Sequence, residues 1–108
     1  MNAEQRHKSQ LTRLPCVACL MILGKVHGSD HLHHIESSRG DDTAFLMVPL
    51  CHDMHEGANG IHGLHRRGFE RRYKLSETDM LAKTYALLEQ RRGDAREWAA
   101  SDPMRSDS

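Results

Sequence analysis

Cys16-Val17-Ala18-Cys19, then His33-His34-Ile35, then Pro49-Leu50-Cys51-His52-Asp53-Met54-His55, then Gly60-Ile61-His62-Gly63-Leu64-His65: these four pieces follow one another through the middle of the chain and carry its chemistry. All three cysteines, and every histidine except His7, lie between Cys16 and His65. Thiolate and imidazole are the donors zinc prefers, and a Cys-x-x-Cys turn presents two sulfurs to one ion. An odd cysteine count with one such pair argues for metal ligation over a disulfide framework.

Working outward, Leu20 to Val26 is an apolar stretch after the Cys16/Cys19 knuckle, and either helix or strand suits it. His31-Leu32-His33-His34-Ile35, bounded by turn-forming residues, has the length of a short strand. Ala44 to Leu50 is a continuous apolar run of strand length, and Pro49 places it at a sheet edge or a strand exit. A short helix is expected after Cys51, interrupted by Gly57-Ala58-Asn59-Gly60, with a second helix from about Arg66 to Tyr73. Ser76-Glu77-Thr78-Asp79 offers an N-cap with a carboxylate three residues on. Leu81, Thr84, Tyr85 and Leu88 then recur at helical spacing.

The expected organisation is α+β: a flexible polar arm over residues 1–12, a metal-stapled domain over 13–75, an amphipathic helix packing on it over 76–92, and a disordered tail over 93–108. A chain of 108 residues, 38% hydrophobic and 5% aromatic, suits one domain with a modest core, to which a structural metal would add stability. Fifteen basic residues balance fifteen acidic ones, so only a local basic patch could attract a nucleic acid. No apolar run approaches the roughly 20 residues that span a bilayer, and residues 1–8 lack an apolar signal core, so a cytoplasmic protein without membrane association is expected.

A structural zinc takes four protein ligands, with Zn–S bonds of about 2.3 Å. Cys16, Cys19 and Cys51 supply three, and His52, His55, His27 and His31 are all candidates for the fourth. His33 and His34 are adjacent on a strand, so their side chains point to opposite faces and can do different work.

The order of these pieces resembles the HNH, or ββα-metal, nucleases, over about residues 14 to 75. The resemblance implies a small zinc-stapled ββα-metal domain acting as a metal-dependent DNA endonuclease, with an additional C-terminal helix. It implies that His33 binds the catalytic ion and that His34 is the general base; imidazole, titrating near pH ~6.5, suits that task. It implies His55 as a further ligand, and departs from the family at Met54, where the second half-site ordinarily has Cys or His. Ile61-His62 and Phe69-Glu70-Arg71-Arg72-Tyr73 are similar to the phage recombination-enhancement nucleases, which implies His62 as the last ligand, with His65 the alternative. The family's bracing asparagine has no counterpart, leaving Asp42 or Thr43 for that bond.

Three imidazoles suit Mn, Ni, Co or Zn, whereas the family generally uses Mg or Mn. Arg66, Arg67, Arg71, Arg72 and Lys74 form the dense basic stretch that would hold DNA phosphates without reading sequence. A recombination protein is a further expected partner. The rival expectation is a zinc-stabilised DNA-binding or scaffold module with a degenerate nuclease site, favoured by Met54 and the missing asparagine.

Overall fold

The computed structural model describes residues 2–35 and 45–101, with side chains up to residue 93. Its elements are α1 (Ala3–Leu11), α2 (Val17–Leu23), β1 (His31–His34), β2 (Met47–Leu50), α3 (His52–Glu56), α4 (Ile61–Tyr73) and α5 (Glu77–Ser101). Among the described residues this is a small α+β arrangement with one two-stranded antiparallel sheet, in which His31 pairs with Leu50 and His34 with Met47. Asp42 and Thr43 lie outside the described residues.

All four residues of β2 are buried, and alternation along the strand divides them between two cores. Val48 and Leu50 join Val17, Ala18, Ile35, Ile61, Phe69, Leu75, Met80 and the three cysteines. Met47 joins Leu11, Leu14 and Leu88 on the other side. Helix α5 reaches both, through Met80 and Leu88, and packs on β2 and α1. Its start is fixed by a reciprocal cap: Asp79 N–H donates to Ser76 Oγ, and Ser76 N–H donates to Asp79 Oδ2, each at 3.0 Å. These bonds hold the Asp79 carboxyl below its ordinary pKa. Thr84 and Leu88 lie on the buried face as the spacing predicts, while Tyr85 is exposed and Met80 takes the remaining core position.

The structure differs from the sequence expectation at both ends. Residues 3–11 form a helix, not a frayed arm, because Asn2 and Gln5 make a capping box and His7 and Leu11, four residues apart, are both buried. At the other end α5 runs on to Ser101, since the Ala, Arg and Glu residues beyond Gly93 favour helix enough to outweigh one glycine. Residues 102–108 of the expected tail lie outside the described part. The apolar stretch after the knuckle is helical as far as Leu23, where Gly24 adopts φ 66° and closes α2 with a left-handed turn.

His7 lies among the rings of Phe45 and Tyr85, with no hydrogen-bond partner for Nε2 among the described residues. Burial, then the Arg92 charge, lowers its pKa below 6.5. Folded His7 therefore stays neutral while the unfolded chain takes up a proton, so its contribution is present above pH 6.5 and is lost as the pH falls below it. Urea midpoints measured at pH 7.5 and 5.5 should fall further for the parent than for His7→Phe; equal falls would remove His7 from the account.

Candidate metal centres

The knuckle is built by helix capping. Cys16 is the N-cap of α2, and its Sγ accepts the Cys19 N–H at 3.4 Å, which turns both sulfurs to one side. Gly24 then reverses the chain, and the Cys16 N–H donates to the His27 carbonyl at 2.9 Å. His27 is thereby returned to the knuckle, while Cys51 arrives from the end of β2. The donor atoms of Cys16, Cys19, His27 and Cys51 all lie within 4.8 Å of one another.

These four residues could hold a metal ion such as zinc. Zn–S bonds of about 2.3 Å in a tetrahedron space the sulfurs about 3.8 Å apart; Cys19 Sγ and Cys51 Sγ are 3.8 Å apart. All three cysteines are free and buried. Burial raises the Cys16 pKa, and burial with the crowding of Cys16 and Cys51 pushes Cys19 up to about 12. Thiolates crowded in this way need a cation to offset their charge, so binding must release protons and weaken as the pH falls.

The fourth group is thus His27, not His52. The His52 N–H donates to Asp30 Oδ2 at 3.2 Å, and its ring lies on the exposed side near Glu56 and His31. Met54 packs against the core near Cys19, Cys51 and His27 without being needed as a donor. His27 lay among the sequence candidates, but nothing in its spacing singled it out; the left-handed Gly24 turn does.

A second cluster lies where β1, α3 and α4 meet. The donor nitrogens of His33, His55 and His62 are within 4.8 Å of one another. Nitrogens bound at about 2.1 Å stand about 3.0 Å apart at right angles and about 3.4 Å apart in a tetrahedron. His55 Nε2 and His62 Nε2 are 3.1 Å apart. On its other side, His55 Nδ1 lies 3.0 Å from His31 Nδ1, so His31 helps to set the ring's orientation. Burial, then the neighbouring His33, His62 and His31, lowers the His55 pKa to about 4. Its ring is therefore neutral, as a metal donor must be, through the neutral pH range.

Two features bring His62 onto His55. Gly63 sits directly on the Gly57 and Ala58 carbonyls, leaving no room for a Cβ. The Tyr73 hydroxyl donates to the Asn59 carbonyl at 2.9 Å and ties the turn to the end of α4, while Phe69 anchors that helix in the core. This gives the Phe69/Tyr73 spacing a physical reason. His65 interrupts α4 at φ 63° and ψ 163°, a conformation that glycine tolerates and other residues adopt at a cost of about 1–3 kcal/mol. It lies outside the trio, but with His33, His34, His62, Arg66, Ile61 and Glu77 it lines an open cleft of about 350 Å³. His34 is exposed and His33 buried, as strand alternation requires.

Arg66 is half-buried on this cleft, whereas Arg67, Arg71, Arg72 and Lys74 are exposed. Arg67 and Arg71, one helical turn apart, share a face, while the Arg72 guanidinium lies over the Tyr73 ring. Glu77 was missed in the sequence, where it served only as part of a cap. No model of a protein family matches this chain, and no curated protein matches it.

With zinc supplied, removing one of the four donors should cost the protein its bound equivalent and destabilise the domain. Cys51→Ser and His27→Ala are the variants to compare by mass spectrometry of the native protein and by thermal melting, with His52→Ala unaffected. Unchanged zinc content in His27→Ala would contradict the assignment. Relief of backbone strain should make His65→Gly about 1 kcal/mol more stable in urea unfolding, whereas Gly63→Ala should be destabilised. A less stable His65→Gly would show that the ring's contacts outweigh the strain.

Proposed function

We propose that this protein is a metal-dependent DNA endonuclease of the ββα-metal type. The observation that carries the reading is the convergence of His33, His55 and His62, with His34 and Arg66 on the same cleft. Three neutral imidazoles leave coordination positions open, unlike the closed Cys16/Cys19/His27/Cys51 set. A divalent ion bound there would neutralise charge on the phosphate and stabilise the leaving oxygen.

The chain's own groups supply the rest. His34, exposed on the cleft, takes a proton from the attacking water. Arg66 offers its guanidinium to the phosphate beside the ion, a planar fork suited to phosphate oxygens. Arg67 and Arg71, with Lys74 beyond them, hold the flanking backbone by charge, which gives affinity without sequence preference. His62 is the last ligand in this reading, and His65 contributes a hydrogen bond to substrate from the cleft wall. Strain at His65 fits such a role, because unfavourable backbone conformations persist where surrounding structure enforces them and cluster at working sites. The likeness of Ile61-His62 and Phe69 to Tyr73 to recombination-enhancement nucleases favours work on phage or prophage DNA, alongside a recombination protein.

Met54 favoured a scaffold that had lost catalysis. A His27 imidazole beside the three cysteines offers a fourth donor that does not involve Met54, which supports the reading of an intact domain.

The test is incubation with supercoiled plasmid and Mg, Mn, Ni or Zn in turn. The parent should nick the plasmid, and His34→Ala should lose on the order of 10² to 10⁴ in rate with zinc content and melting unchanged. His62→Ala should lose more activity than His65→Ala, and Arg66→Ala more than Arg67→Ala. Retardation of DNA without cleavage under every ion would overturn the reading, and full activity in His34→Ala would remove the base assignment.

A further inference from the structure

Glu77 is the one acidic residue that is buried among the described residues, with 5% of its surface exposed. A carboxylate taken out of water needs compensating partners. Its Oε2 lies 2.6 Å from His33 Nε2, and both residues line the cleft. Glu77 is also the first residue of α5, whose N-terminal dipole favours a negative charge. The Ser76–Asp79 cap holds that turn in place on one side, and Met80 anchors it in the core on the other.

We infer that Glu77 is the positioning carboxylate of the His33–His55–His62 centre, restraining the His33 ring and supplying the negative charge that the imidazoles lack. The inference rests on the reading of that trio as an ion site. Three neutral imidazoles bring no charge to a divalent cation, and a buried carboxylate in contact with one of them offsets part of it. Glu77 is not among the three residues whose donor atoms converge, so it acts through His33. A consequence reaches beyond the site: α5 starts 44 residues after His33, and this contact couples the helix to occupancy of the centre.

Zinc-loaded protein, with the cysteine centre filled, is titrated with Mn²⁺ by calorimetry, and free Mn²⁺ is followed by electron paramagnetic resonance. Glu77→Gln should bind Mn²⁺ about 10- to 100-fold more weakly than the parent, the usual effect of losing an outer carboxylate, while melting without Mn²⁺ stays close to that of the parent. In the parent, Mn²⁺ should also slow amide hydrogen exchange in the first turns of α5, a readout that needs no variant. Equal Mn²⁺ affinity in Glu77→Gln, or exchange in α5 unaffected by Mn²⁺, would overturn the role of Glu77 and leave the trio standing. Absence of any uptake of Mn²⁺, Ni²⁺ or a second Zn²⁺ by the parent would overturn the trio itself.

Discussion

Three buried thiols meeting one imidazole are the constraint on which the rest depends. Cys16 and Cys19 fix the start of α2, Cys51 fixes the end of β2, and His27 ties the returning chain to both. The three cysteines belong to the larger core, with Val17, Val48, Leu50 and Phe69, while His27 reaches them from the exposed side. Packing and donor geometry are therefore one problem here: a sulfur displaced from the cluster also displaces β2, and with it β1. Burial raises the pKa of Cys16 and Cys19, so a metal ion such as zinc held at this centre would have to displace their protons, and its binding energy would add to the folding free energy.

The cleft inherits its geometry from that core. Pairing of His33 with Val48 sets the height of His33 on β1, and α3 begins directly after Cys51, which sets the direction of His55. His62 comes from a turn held by the contact of Gly63 with the Gly57 and Ala58 carbonyls and by the bond from Tyr73. Glu77 comes from the helix that closes over the module. Four separate elements thus converge on one cleft, and each is anchored by a residue of the same core: Val48, Cys51, Phe69 and Met80.

Much of this was legible in the chain because local chemistry agrees with the final structure. The β1 strand (His31–His34), the break at Gly57 to Gly60 and the Ser76/Asp79 cap follow from spacing and turn residues, and His33, His55 and His62, expected as one ligand set, come together. The features that escaped depend on long-range geometry or on weak local signals. His27 is one of several nearby histidines until Gly24 bends the chain. Glu77 reads as an ordinary first-turn acid until α5 docks. The N-terminal helix is stabilised by an Asn2/Gln5 cap and by burial of His7 and Leu11 on α5, and its polar composition hides both.

X-ray absorption at the zinc edge, on protein loaded with one equivalent of zinc, tests the central constraint most directly. Three sulfur neighbours at about 2.3 Å and one nitrogen at about 2.0 Å are expected, with the same shell retained in His52→Ala. A first shell dominated by nitrogen and oxygen, or one with fewer than three sulfurs, would contradict it.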